Sequence, residues 1–131
     1  MSSQPVAAII LAAGRGTRMK SNLHKVLHPL AGRPMLLHLL ASVDALEPAA
    51  KVVVVGSQRE QVEAAIAGTG TAIAVQDPQH GTAHAVQQAE EALKGFDGDV
   101  LILYGDVPLV STATMAAMLG QLDDTTAVVV L

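Results

Sequence analysis

The chain alternates between short apolar runs and longer mixed stretches. Five runs read as strands: Val6–Leu11, Lys51–Val55, Thr71–Val75, Val100–Leu103 and Ala127–Leu131. They are rich in valine and isoleucine, whose branched side chains pack well on a pleated surface. All but Thr71–Val75 are near-continuous rather than alternating, which predicts strands buried on both faces of a parallel sheet. Between them lie four helical patterns, Pro34–Ala45, Arg59–Ala67, Thr82–Lys94 and Thr112–Leu122. Pro34 suits a first helical turn, where its missing N–H costs nothing. Ser111 stands where an N-cap would accept a backbone N–H. Gly68 and Gly95 stand where two helices should stop. Strict alternation of strand and helix predicts an α/β fold, a Rossmann-like doubly wound, mostly parallel sheet with helices on both faces.

The last run, AVVVL, reads as a buried strand with nothing after it. An uncovered apolar edge invites aggregation. The expectation is therefore that residues 1–131 form an incomplete domain, part of a longer chain. No internal repeat, linker or low-complexity tract interrupts the pattern.

Composition narrows the function classes. Half of the 131 residues are apolar, so a folded domain with a real core is expected. Tyr104 and Phe96 are the only aromatics, so that core is aliphatic. The net charge of −4 and the lack of stacking aromatics argue against a nucleic-acid partner. The absence of cysteine rules out disulfides and thiolate metal sites. MSSQP does not begin a secretory signal, and no run is long enough for a membrane span. A cytoplasmic protein with no membrane partner is expected.

Three stretches carry candidate chemistry. The first is LAAGRGTRM, from Leu11 to Met19, directly after the first predicted strand. It fits neither common glycine code. The third glycine of a dinucleotide fingerprint would fall on Met19, and the P-loop spacing is absent. What remains is a turn with successive backbone N–H groups at Gly14, Arg15, Gly16 and Thr17. Such groups form an anion-binding concavity, and glycine lets a phosphate approach without a Cβ in the way. Arg18 and Lys25 follow as candidate cations over the same anion. The plain alternative is a tight turn with solvated basic side chains.

The second stretch is LILYGDVPLV, where a buried strand runs into Tyr104, Gly105 and Asp106. Ligands of open α/β sheets bind beyond the carboxyl ends of the strands, where the strand order reverses. If the first and fourth strands are neighbours, Asp106 and the glycine turn meet there. A carboxylate beside a phosphate cradle suits Mg²⁺. The alternative for Asp106 is a turn cap. The third stretch is VQDPQHGTAHAV, in which a strand ends at Gln76 and Gly81–Thr82 opens a helix. These groups can hydrogen-bond a base edge. His80 and His84 mimic a metal pair but lack the glutamate between them and a third ligand, so each reads as a loop or helix-packing residue. His24, His28 and His38 have no triad partner, and no nucleophile elbow is present.

The three stretches occur together and in one order. LAAGRGTRMKSNLHKVLHPLAGRPML resembles the signature of the sugar-nucleotide pyrophosphorylases. QDPQHGTAHAV and LYGDVPLV make the likeness closest to the N-acetylglucosamine-1-phosphate uridylyltransferases within that family. In bacteria such a unit is the N-terminal part of a bifunctional, homotrimeric enzyme whose C-terminal part is a glucosamine-1-phosphate acetyltransferase. The resemblance implies Mg²⁺-dependent transfer of a uridylyl group from UTP to N-acetylglucosamine-1-phosphate. The products are pyrophosphate and UDP-N-acetylglucosamine, a precursor for peptidoglycan and lipopolysaccharide. It implies that Leu11, Ala12, Ala13 and Gly14 meet the uracil and ribose. Gly16, Thr17 and Arg18 would hold the β- and γ-phosphates, and Lys25 the α-phosphate. Gln76, Gly81 and Thr82 would read the uracil edge. Tyr104 and Gly105 would approach the sugar or ribose, and Asp106 would hold the metal.

Two positions depart from the family pattern. His24 stands where proline often precedes the lysine, so the backbone that aims Lys25 is less pre-set. His80 stands where leucine is frequent. The resemblance also implies about another hundred residues of domain that supply sugar contacts and a second metal ligand. The 131 residues alone are expected to bind UTP poorly and turn over little. Competing expectations are a nucleotidyltransferase for GTP or CTP, and a catalytically incomplete nucleotide-binding fragment.

Overall fold

A computed structural model describes residues 5–12, 25–56, 59–76, 81–107, 109–123, 125–126 and 129, with only the backbone at Lys25. Strand β1 (Val6–Leu11) is followed, after the undescribed residues 13–24, by a 3-10 turn at Lys25–Leu27. Then come β2 (Pro29–Leu30), β3 (Arg33–Pro34), helix α1 (Met35–Asp44), β4 (Ala50–Val55) and α2 (Arg59–Ile66). The chain continues through β5 (Ala72–Val75), α3 (Thr82–Gln88), β6 (Asp99–Tyr104) and α4 (Thr112–Leu119). β5, β4, β1 and β6 form one parallel sheet in that spatial order. The first three follow each other outward from β1, and the fourth returns to its other side. This is the doubly wound arrangement that the alternation predicts, and it makes β1/β6 the point where strand order reverses.

The two faces of the sheet are packed unequally. Ala8, Ile10, Val53, Val55, Leu101 and Leu103 point to one face. There they meet Leu36, Leu39, Leu40 and Val43 of α1, Val62 and Ile66 of α2, and Met115 of α4. The other face carries Ile9, Leu11, Val52, Val54 and Ala74, covered by Ala85 and Ala89 from α3 and the turn after it. Helices thus lie on both faces. β1 and β4 are buried on both sides, as their unbroken apolar runs predict. β6 is not. Val100, Ile102 and Tyr104 are 42%, 46% and 52% exposed, while Leu101 and Leu103 are buried. Val100, Ile102 and Tyr104 stand opposite Ala7, Ile9 and Leu11, on the face that α3 covers only nearer β1 and β4.

Local signals fare well at turns and less well at ends. Ser111 caps α4 by accepting the Thr114 N–H at 3.1 Å. Gly68 and Gly95 adopt φ of +82° and +84°, the left-handed geometry that stops a helix cheaply. Pro34 is not in the first turn of α1. It precedes the helix with φ −52° and ψ 139°, because it pairs with Pro29 in a two-stranded antiparallel ladder that the hydrophobic pattern does not reveal. α3 ends at Gln88 rather than Lys94, and residues 89–95 tighten into turns with bonds such as Glu90 N–H to Gln87 C=O. α1, α2 and α4 end at Asp44, Ile66 and Leu119, each short of its predicted limit. The fifth predicted strand, Ala127–Leu131, falls outside the described residues except for Val129, which is in no strand. Among the described residues no helix is long and apolar enough to cross a membrane.

Candidate functional site

The parallel ladder continues one hydrogen bond past the strands at their carboxyl ends. Ala12 N–H donates to Val54 C=O at 2.8 Å, Gln76 N–H to Val55 C=O at 2.7 Å, and Gly105 N–H to Leu11 C=O at 3.0 Å. Three predicted site residues therefore sit on a backbone shelf with their own N–H donors already paired. With neighbouring strands about 4.8 Å apart, the shelf runs roughly 14 Å from β5 to β6. Gln76, Ala12 and Gly105 thus stand at the carboxyl ends of separate strands of one sheet.

The condition set by the sequence is met at the switch point, since β1 and β6 are neighbours with Leu11 opposite Tyr104. The glycine turn itself, with Ala13, Gly14, Gly16, Thr17 and Arg18, lies outside the described residues, as do His24 and His80. The backbone at Lys25 opens the 3-10 turn, and the next residue anchors it. Val26 is buried and packs on Gly105, where an added Cβ would stand 3.0 Å from Val26 Cγ1 and 3.3 Å from Leu11 O. Gly105 thus has a packing reason to be glycine. Its bare Cα lets the turn that carries Lys25 settle against the ends of β1 and β6. Sequence reasoning assigned Gly105 to a ligand and missed this contact, because no spacing rule links positions 26 and 105.

Asp106 follows directly, in the turn after β6, and is partly buried. Among the described residues no cluster of three histidine, cysteine, aspartate or glutamate side chains could hold a metal. A hard carboxylate is still the donor type that Mg²⁺ takes, since that ion binds through one or two carboxylates plus substrate phosphates and waters. Tyr104 is exposed on the same strand end.

At the other end of the shelf, Gln76 is 3% exposed, the one polar residue among the buried side chains described. Its Nε2 donates to Gly81 C=O at 2.9 Å and lies 3.0 Å from His84 Nδ1. Gly81 caps α3 with φ +96°, a conformation that glycine tolerates and other residues rarely adopt. Thr82 is exposed at the first position of the helix. Gln76 is therefore tied to the start of α3, where Gly81 and Thr82 stand. His84 is a helix-packing residue as expected, but its bond to Gln76 has no signature in the sequence. His38 Nε2 bonds Leu30 C=O at 2.6 Å, which ties α1 to the small ladder.

A parallel sheet whose strand order reverses beside β1 defines a Rossmann-like α/β fold. The family model for the MobA-like NTP transferase domain matches residues 8–131, and the chain belongs to that family of transferases. The bifunctional protein GlmU of Sphingopyxis alaskensis is 70% identical over 131 residues, covering 98% of this chain and 29% of that relative. The chain thus spans under a third of the length of this relative. Among solved structures, a nucleotidyl transferase from Methanothermobacter thermautotroptrophicus superposes with a TM-score of 0.79 at 27% identity, over 93% of this chain and 59% of that one. A manganese complex from Mycobacterium tuberculosis has a TM-score of 0.72 at 24% identity, over 90% of this chain and 59% of that one, a likeness of fold.

Proposed function

We propose that residues 1–131 are the nucleotide-binding portion of a uridylyltransferase domain. The reaction is transfer of a uridylyl group from UTP to N-acetylglucosamine-1-phosphate. The observation that carries this reading is the convergence at the switch point. The end of β1, the turn opened by Lys25 and the Gly105–Asp106 corner meet there through the Gly105 contacts. The 70% identity to a GlmU protein supports uridylyl over guanylyl or cytidylyl transfer.

A phosphate oxygen of the sugar attacks the α-phosphorus of UTP, and the bond from that phosphorus to the β-phosphate oxygen breaks. Pyrophosphate leaves. Such transfers need positioning and charge neutralisation rather than protein covalent chemistry. Leu11, Ala12, Ala13 and Gly14 meet the ribose and uracil. Gly16, Thr17 and Arg18 hold the β- and γ-phosphates, where negative charge grows as pyrophosphate departs. Lys25 meets the α-phosphate. Gln76, Gly81 and Thr82 read the uracil, and Tyr104 and Gly105 flank the sugar side. Asp106 holds Mg²⁺, which when bound neutralises phosphate charge. The reading also makes the chain part of a cytoplasmic, homotrimeric bifunctional enzyme that supplies cell-wall precursors.

The test is a calorimetric panel of UTP, CTP and GTP with Mg²⁺. Weak but selective UTP binding is expected. Equal binding of all three, or preference for CTP or GTP, would overturn the uridylyl reading.

A further inference from the structure

The uracil role of Gln76, on which this inference rests, leaves open how a glutamine amide comes to favour one base. An amide can present either its NH₂ or its carbonyl, and a free one could adapt to uracil or cytosine alike. Here the choice is made by the protein. Gly81 C=O can only accept, so the atom 2.9 Å from it must be the amide nitrogen. That nitrogen has no acceptor capacity, so its 3.0 Å contact with His84 requires an unprotonated Nδ1. Both N–H bonds of the Gln76 amide are then spent inside the fold, and Oε1 is its remaining acceptor.

The His84 ring faces a second amide. Gln88 Nε2 lies 3.2 Å from His84 Nε2 and 3.2 Å from His84 C=O. A neutral imidazole accepts at one nitrogen only. The shorter contact, from the buried Gln76, takes Nδ1 and places the ring proton on Nε2. Gln88 keeps its bond to the backbone carbonyl one helical turn back.

We propose that His84 is a positioning residue that locks the Gln76 amide carbonyl-outward, making the base site select a ring N–H donor. Uracil carries such a donor at N3. Cytosine presents a lone pair at the same place and would set two acceptors against each other. A histidine that touches no substrate thereby joins the Gly81 carbonyl in holding the orientation on which discrimination between UTP and CTP depends.

The test compares the wild type with His84→Ala, which removes the acceptor, and His84→Asn, whose Oδ1 can replace Nδ1. Nitrogen-15 NMR of the wild type should show His84 Nδ1 unprotonated and the Gln76 NH₂ protons slow to exchange. That protection should fall in His84→Ala, where the Gly81 bond alone remains, and return in His84→Asn. In parallel UTP and CTP titrations with Mg²⁺, the preference for UTP should fall about five- to tenfold in His84→Ala, the value of one ordinary hydrogen bond, and recover in His84→Asn. A protonated Nδ1, Gln76 protection unchanged in His84→Ala, or one preference shared by all three proteins overturns the proposal. A wild type that locks Gln76 yet binds UTP and CTP alike overturns the uridylyl reading instead, and leaves the lock standing.

Discussion

Gly105→Ala tests the joint between the sheet and the turn that carries Lys25. The new methyl would stand 3.0 Å from Val26 Cγ1 and 3.3 Å from Leu11 O. Val26 is 3% exposed and β-branched, so its side chain has little freedom to turn away. The Leu11 carbonyl is held in the sheet by the Gly105 N–H itself. Overpacking of this kind costs about 1–3 kcal/mol. Gly105 has no positive φ, so alanine recovers about 0.4–1 kcal/mol through a less flexible unfolded chain. The net expectation is a loss of about 1–2 kcal/mol. At about 2.1 cal/mol/K per residue, 131 residues convert this to a fall in Tm of roughly 4–7 °C. Urea denaturation and a thermal melt measure it. The cause is isolated by repeating the substitution in a Val26→Ala background, where the clashing methyl is gone. There Gly105→Ala should cost about 1 kcal/mol less, a coupling of the size seen for touching residues. A neutral Gly105→Ala, or additive effects of the two substitutions, would refute the packing account.

Two further predictions rest on other parts of the fold. Ser111→Ala removes the side chain that accepts the Thr114 N–H, and should lower stability in urea by about 1 kcal/mol, with Ser111→Asp largely restoring it. The Asp123 carboxyl accepts from the Thr125 hydroxyl, then from the Thr125 and Thr126 N–H groups, and these bonds hold its pKa below the ordinary carboxylate value. A depressed folded pKa favours the folded state above the unfolded value, and that contribution is lost as pH falls through the folded one. An NMR titration should therefore find Asp123 among the low-titrating carboxyls, and Thr125→Val should raise its midpoint.

The sequence made the central sheet legible because valine and isoleucine runs in β1 and β4 are unbroken, and unbroken runs mean burial on both faces. The same rule misread β6, whose run is equally apolar but whose alternate residues are exposed. A strand records what its full environment buries, and composition cannot say which neighbour does the covering. Glycines before a change of direction were readable, since left-handed backbone favours that residue. The Pro29–Pro34 ladder was not, because two-residue strands carry no periodicity. At the site, the row Leu11, Ala12, Gln76 and Asp106 followed from one rule about strand ends. The partners that hold the row did not. Val26 beneath Gly105 and His84 beside Gln76 are joined across a turn or a helix, at separations that no local motif encodes.

The most direct test of the central claim is calorimetry of UTP binding with and without Mg²⁺, on the wild type and on Asp106→Asn. The account predicts that Mg²⁺ strengthens UTP binding to the wild type and that Asp106→Asn, which keeps the shape but removes the charge, loses most of that gain. UTP binding equally strengthened by Mg²⁺ in both proteins would contradict it, because the carboxylate at the end of β6 would then hold no metal.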